Sequence, residues 1–129
     1  MNAQTPSRTG RGPHDAPFSI SVERLPDAAV VRLCGSCTME VASAVGERLV
    51  AQITPTTRLL VVEASKLDFL ESTGLGGMVA GYLRIRRNRG DLRLVKPQPA
   101  IMALLEMTRL TQLFRVCDSV EEALRLPIL

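Results

Sequence analysis

Apolar residues along the chain follow two different spacings, which predict strands and helices in turn. Residues 59–62 form an unbroken apolar run, as a central strand covered on both faces does. After Ser72 and Thr73, apolar residues return at steps of three and four, namely Leu75, Met78, Val79, Tyr82 and Leu83. That spacing predicts an amphipathic helix, and Ser72 or Thr73 is predicted to be its N-cap.

The chain before this strand predicts a β-hairpin and a first helix. Residues 18–22 alternate between apolar and polar, and a turn signal separates them from a second apolar segment at 29–33. The next apolar positions have helical spacing: Met39, Ala42, Val45, Leu49 and Ile53. Thr38 is predicted to cap this helix, which ends near Pro55.

The chain after the central helix predicts two further pairs of strand and helix. Residues 88–90 are predicted to end the central helix, and residues 92–95 to form a short strand. A third helix, entered through prolines, has its apolar side over 101–108. Residues 113–116 are predicted to be the last strand, and a capping box opens a closing helix within 118–126.

Strands that alternate with helices predict βαβ units with parallel strands. The predicted fold class is therefore α/β, with a mixed, mostly parallel β-sheet to which the first hairpin adds an antiparallel strand. Residues 1–17 are rich in Pro, Gly and small polar residues and lack apolar periodicity. We expect a disordered N-terminal tail at 1–17 and a single domain at 18–129.

Composition and charge narrow the possible functions. With 129 residues and 46% hydrophobic content, the chain can bury a core. The net charge of +3 is partly supplied by Arg8 and Arg11. The arginines within 84–89 lie at the end of the central helix, where cations complement the helix dipole, so we expect no direct nucleic-acid binding. No apolar run approaches the roughly 20 residues of a membrane span. Three cysteines do not form a disulfide framework, and we expect a cytoplasmic protein without membrane insertion.

Residues 63–76 carry a recognisable motif, Glu-Ala-Ser-Lys-Leu-Asp-Phe-Leu-Glu-Ser-Thr-Gly-Leu-Gly. It closely resembles the signature of STAS domains, best known as bacterial anti-sigma factor antagonists, and the resemblance extends over about residues 18–126. The resemblance implies a STAS-like sheet with helices packed largely on one side. It also implies that a partner kinase phosphorylates the first serine after the acidic residue, which is Ser72 here. Glu63 and Glu71 each stand where the family usually has Asp.

The resemblance and the chain topology together predict a partner-binding surface. Loops that leave parallel strands emerge at one edge of a sheet, so we expect the loops at 35–38, 65–72 and 96–99 to lie together. Arg93, on a strand, is expected to lie outside this surface. In the first loop, Thr38 replaces the acid that is usual in the family. The predicted partner-binding residues are Gly35, Ser36, Cys37, Thr38, Glu71, Ser72, Thr73, Gly74, Leu75 and Gly76.

Other interpretations of these residues stay open at this point. Ser72 and Thr73 could serve only as helix caps. The glycines at 74–77 lack the spacing of a nucleotide-binding loop and favour close packing or an exposed helix backbone. Cys34 and Cys37 form a Cys-x-x-Cys before a predicted helix, where a reactive dithiol could lie, although Cys34 is expected to be buried in the strand end.

Three functions are therefore carried forward. The first is a phosphorylation-switched interaction module that binds an anti-sigma factor with serine kinase activity and is reset by a serine phosphatase. The second is a constitutive STAS scaffold or transport-complex subunit, and the third a dithiol oxidoreductase. The sole histidine, His14, lies in the tail, so neither a hydrolytic triad nor a metal or other cofactor is expected. We expect a protein that is not an enzyme.

Overall fold

The computed structural model describes residues 16–128 of the chain. The predicted tail therefore lies outside the described residues up to position 15. The strands are β1 Ser19–Arg24, β2 Ala28–Cys37, β3 Leu59–Leu70, β4 Asp91–Val95 and β5 Arg115–Cys117. The helices are α1 Ser43–Ala51, α2 Ser72–Arg87, α3 Pro99–Met107 and α4 Val120–Arg125, with a 3-10 turn at Leu110–Gln112.

The five strands form one sheet in the order β1-β2-β3-β4-β5. β1 pairs antiparallel with β2, and every other neighbouring pair is parallel. Val62 of the central strand lies opposite Val31 on one side and Leu94 on the other. The predicted α/β class with a mixed, mostly parallel sheet is confirmed.

Each face of the sheet is covered by a separate apolar core. Leu60 and Val62 pack in the larger core with side chains of α1, α2 and α3, whereas Leu59 and Val61 pack in the smaller core with Ala123 of α4. Both faces are covered at the central strand, which explains its unbroken apolar run. Three of the four α-helices lie on one face, as the resemblance implies.

β2 and β3 are longer than their apolar patterns predict. Their pairing continues through Gly35↔Leu67 and Cys37↔Leu70, with two register shifts on the way. The predicted loops at 35–38 and 65–72 are thus wrong for most of their length, because these residues extend the two strands. Irregular register disturbs the alternation of side chains between faces, so the sequence pattern loses its strand period there.

The first helix begins later than predicted. α1 starts at Ser43, and residues 39–42 form turns between β2 and the helix, with Val41 N donating to Thr38 O over 3.1 Å. The predicted N-cap role of Thr38 is wrong, because the extension of β2 leaves this residue at the strand end. Met39, assigned to the buried helix side, is instead 75% exposed in the turn.

The later elements agree more closely with the sequence. Ser119 caps α4 by accepting a hydrogen bond from Glu122 N, and the Glu122 carboxylate accepts one from Asp118 N, which confirms the capping box. The last strand, predicted at 113–116, is observed as β5 two residues later at its start. Phe114, just before it, is buried and makes an edge-to-face contact with Tyr82 of α2.

The third predicted loop does not reach the same place as the other two. β4 ends at Val95 opposite Glu63, while β3 runs on to Leu70, about 23 Å further at the rise of an extended strand. Gln98 accordingly donates to the carbonyl oxygen of Ser65, at 2.8 Å. The segment at 96–99 therefore lies beside the middle of β3, and its predicted place near Ser72 is wrong.

Among residues 16–128, Arg93 has the largest fully buried side chain, and it lies on the face of the sheet that α4 covers. Its guanidinium donates to the carbonyl oxygens of Ala123 and Leu126, and over 2.8 Å to that of Pro127. Its Nε also lies 3.3 Å from the carboxylate of Asp91. Arg93 is buried away from the loops predicted to bind a partner, and it fastens the C-terminal segment to the sheet.

We expect Arg93→Met to lower the free energy of unfolding by about 3 kcal/mol, because carbonyl acceptors and a carboxylate lose their shared donor. Urea unfolding followed by circular dichroism measures the change. Arg115→Met, at an exposed position of β5, is the control and should change this free energy by no more than about 0.5 kcal/mol. Equal effects of the two substitutions would show that the Arg93 contacts do not hold the C-terminal segment.

Candidate functional site

The junction between β3 and α2 places an exposed hydroxyl at a helix N-terminus. Glu71 is the N-cap, with extended backbone at φ −73° and ψ 156°, and its carboxylate accepts a hydrogen bond from Thr73 N over 2.7 Å. Ser72 is exposed, and its Oγ donates to Glu71 Oε2 over 3.1 Å. The prediction that Ser72 or Thr73 caps the helix is wrong, because the carboxylate of Glu71 accepts the hydrogen bond from Thr73 N and so serves as the cap. The Ser72 hydroxyl is therefore not needed as a cap.

Ionised Glu71 is favoured by the helix start. The hydrogen bond from Thr73 N lowers the pKa of Glu71 most, desolvation is the next largest contribution and raises it, and the hydroxyls of Thr73 and Ser72 lower it by smaller amounts. Because its folded-state pKa lies below the unfolded value, Glu71 stabilises the fold above that unfolded value. This contribution is lost as pH falls through the lowered pKa. Glu71 thus holds a negative charge beside Ser72 at neutral pH.

The end of β2 lies directly against this junction. Glu71 N donates to Cys37 O over 2.9 Å, so the turn that follows β2 and the start of α2 are neighbours. The Thr38 hydroxyl donates to Glu40 Oε1 over 2.9 Å. The pKa of Glu40 is lowered by its own backbone N–H and by this hydroxyl. The turn therefore carries a carboxylate even though Thr38 stands where an acid is usual.

The predicted partner-binding residues divide by exposure. The exposed ones are Ser72, Thr73 and Gly76, and the half-buried ones are Gly35, Thr38 and Glu71. The buried ones are Ser36, Cys37, Gly74 and Leu75. Buried side chains cannot contact a partner, so this last group shapes the surface from beneath. We keep the exposed and half-buried residues, with Met39 added, as the candidate surface.

The buried Ser36 is held by partners that the sequence did not indicate. Its Oγ donates to Asp68 Oδ1 over 2.7 Å, and its backbone N donates to Ala16 O over 3.2 Å. Gly35 has φ +88°, and a Cβ there would lie 1.8 Å from Pro17 O. The segment before β1 therefore requires glycine at position 35 and fixes the end of β2.

The glycines at the start of α2 serve helix packing. A Cβ on Gly77 would lie 2.6 Å from the backbone N of Gly46 in α1, and a Cβ on Gly74 would lie 3.0 Å from Cys37 Sγ. A Cβ on Gly76 meets nothing within 4 Å. Close packing is confirmed for Gly74 and Gly77, while Gly76 leaves helix backbone open on the surface. In the sequence, Gly46 in α1 was the residue that could have predicted this close approach of α1 and α2.

The cysteine pair does not form a reactive dithiol site. Both cysteines belong to β2, and three extended residues span about 10 Å, beyond the limit of about 7 Å between disulfide-bonded Cα atoms. Cys37 is fully buried, and burial raises the pKa of its thiol, against a lowering by the Glu71 backbone. Cys34, expected to be buried, is half-buried. The dithiol hypothesis loses its geometric basis.

Within residues 16–128, no three His, Cys, Asp or Glu side chains are grouped so that they could hold a metal ion. No helix in that range combines the length and apolar content needed to span a bilayer.

Residues 19–123 match the family model of the STAS domain. The chain belongs to the STAS domain family. BtrV of Bordetella bronchiseptica, named as a candidate anti-sigma factor antagonist, is 23% identical over 106 residues, which cover 82% of this chain and 91% of BtrV. The resemblance to this family is therefore confirmed.

Solved structures agree with this assignment. An anti-sigma factor antagonist from Mycobacterium paratuberculosis superposes with a TM-score of 0.73 at 26% identity, covering 84% of this chain and 92% of that one. The Bacillus cell fate determinant SpoIIAA in its phosphorylated form gives a TM-score of 0.67 at 18% identity, covering 82% and 96%. The fold is that of anti-sigma factor antagonists.

We expect Gly77→Ala to destabilise the protein by about 1 to 3 kcal/mol, because its Cβ would push α1 and α2 apart. Gly76→Ala is the matched control on the same helix. There the new Cβ meets open space, and the better helix propensity of alanine should stabilise by up to about 1 kcal/mol. Thermal unfolding of both variants measures the difference. A stabilising Gly77→Ala would contradict the observed close packing of the two helices.

We expect Cys37 to react with iodoacetamide at neutral pH far more slowly in the folded protein than in urea. Burial both shields its sulfur and raises its pKa, which lowers the thiolate fraction. Mass spectrometry of each cysteine peptide over time measures the rates, with the half-buried Cys34 as internal comparison. Rapid labelling of Cys37, or reduction of insulin disulfides by the protein, would restore the dithiol hypothesis.

Proposed function

We propose that this chain is a phosphorylation-switched interaction module of the anti-sigma factor antagonist type. In its unphosphorylated form it binds an anti-sigma factor that is also a serine kinase, and this binding frees a sigma factor for transcription. Phosphorylation of Ser72 releases the partner, and a serine phosphatase resets the module. The observation that carries the proposal is the exposed Ser72 hydroxyl at the N-terminus of α2, which Glu71 leaves free of a capping role.

The helix start can accommodate a phosphate. A phosphoserine adds about −1.5 to −2 of charge, and free backbone N–H groups at a helix N-terminus bind such a group. The fold of this chain resembles that of SpoIIAA, which has been solved in its phosphorylated form. Modification of Ser72 is therefore compatible with an intact domain.

The same geometry explains how a phosphate would change the surface. Ser72 Oγ now donates to the Glu71 carboxylate at 3.1 Å, and phosphorylation replaces this donor with a dianion at the same place. The two like charges repel, so Glu71 moves away and the phosphate takes over the N–H groups of the first helical turn. Partner docking would then require desolvation of a larger negative charge. A cost of roughly 2 kcal/mol corresponds to about 30-fold weaker binding.

A constitutive scaffold without phosphorylation is the second candidate. It is favoured by Thr38, which replaces the acid usual in the family, and by Glu71, which replaces the usual Asp. Against it, Glu40 restores a carboxylate to the turn after β2, and Glu71 remains an acid beside Ser72. Phosphorylation assays separate the two candidates.

We expect the purified protein to retain an anti-sigma factor in a pull-down from its host, identified by mass spectrometry. With that purified kinase and ATP, the wild type should gain one phosphate, and Ser72→Ala should gain none. Thr73→Val is the control and should still be phosphorylated at Ser72. Ser72→Asp should weaken binding of the kinase by about 30-fold in calorimetric titrations.

Three outcomes would count against the proposal. If Ser72→Ala is still phosphorylated and the phosphate maps to Thr73, the acceptor is the neighbouring residue. If no anti-sigma factor is retained, the proposed partner is wrong, and if one is retained but modifies neither residue, the module binds its partner constitutively.

A further inference from the structure

One exposed ridge runs along α2 away from Ser72. At the 3.6-residue turn of an α-helix, Gly76, Leu83 and Arg87 lie within about 60° of the direction of Ser72. All four residues are exposed. Leu83 lies about 16 Å and Arg87 about 22 Å from Ser72 along the helix axis. The half-buried Val79 lies between Gly76 and Leu83 on the same side of the helix, and through it the ridge joins the surface assigned to the partner.

The middle of this ridge is apolar, and most of its side chains are small. Leu83 is 50% exposed, and the exposed Ala80 and Gly76 precede it on the helix. Since no Cβ projects from Gly76, another chain can approach the helix backbone closely there. A half-exposed leucine beside small residues gains from being covered by an apolar side chain.

Positive charge lies at the far end of the ridge, on Arg87, and on its flank, on Arg84, which points about 120° from the direction of Ser72. Arg84 and Arg87 are exposed, and within the described residues neither guanidinium has a hydrogen bond or an ion pair. Both lie in the last turn of α2, where they complement the helix dipole. That role does not use their side-chain donors, which remain available to carboxylates from outside.

We propose that the anti-sigma factor covers this ridge with a segment that places an apolar residue on Leu83 and acidic residues on Arg84 and Arg87. The proposal rests on the proposed function and specifies the partner chemistry for the same site. The occupant is a protein, because a polyanion would contact the arginines without covering Leu83. A footprint of about 22 Å from Ser72 to Arg87 fits within a standard interface of roughly 800 Å² per partner.

The two ends of the ridge act independently. A separation of about 22 Å exceeds the Debye length of about 8 Å at physiological ionic strength. Phosphate on Ser72 therefore does not neutralise Arg84 or Arg87. The cations would speed association and select an acidic partner, while Ser72 controls release. Substitutions at the two ends should then change the binding free energy additively.

The experiment titrates the purified anti-sigma factor from the pull-down into four variants, at low and at physiological salt. Leu83→Ala should weaken binding about tenfold at both salt concentrations. Arg87→Glu should weaken it about tenfold at low salt and less at physiological salt. Arg125→Glu, at an exposed site on α4 with the same charge change, is the control and should stay within about twofold. The fourth variant is Ser72→Asp.

Each pattern of results supports or overturns the ridge proposal, the Ser72 switch or both. If Ser72→Asp weakens binding while Leu83→Ala and Arg87→Glu do not, the ridge proposal is wrong and the proposed function stands. If only the ridge variants weaken binding, the ridge is supported and the Ser72 switch is wrong. If Arg125→Glu weakens binding as much as Arg87→Glu, net charge alone is responsible and the ridge proposal fails. If none of the variants binds less tightly, both proposals fail.

Discussion

The structure depends on the long parallel pairing of β2 with β3. It carries both strands beyond the rest of the sheet, to Cys37 and Leu70, and continues in the hydrogen bond from Glu71 N to Cys37 O. Backbone hydrogen bonds at this edge hold the turn after β2 beside the start of α2. Without that pairing, the carboxylates of Glu40 and Glu71 would have no common surface. The candidate site is thus built by strand pairing and not by a cavity.

The packing of α2 against α1 determines which residues of the site reach solvent. Gly46 and Gly77 allow backbone to meet backbone, which turns Gly74 and Leu75 inward and leaves Ser72 and Gly76 outward. Small residues therefore occur on both the packed and the exposed side of α2, for different physical reasons. On the packed side they avoid a clash with α1, and on the exposed side Gly76 leaves helix backbone open at the surface.

Glu71 shows how one longer side chain changes a helix start. Its carboxylate caps α2, so the serine that follows it keeps a hydroxyl that is not part of the capping arrangement. The charge that stabilises the helix would also oppose a phosphate on Ser72. Under the proposed function, the stability of α2 and the response to phosphorylation are therefore connected through this one carboxylate.

The sequence by itself determined the fold class, the order of the elements and the position of the β3 to α2 junction. These follow from local periodicity: an unbroken apolar run at 59–62 requires cover on both faces, and the motif at 63–76 identifies the family. Only the tertiary structure decided how far β2 and β3 extend, which residue caps α2 and that Arg93 is buried. Such features depend on contacts between residues far apart in the chain, such as Arg93 with the carbonyl groups of the C-terminal segment. Local spacing carries no record of those distant partners, since an arginine on a strand has the same pattern whether solvent or a carbonyl group receives its hydrogen bonds.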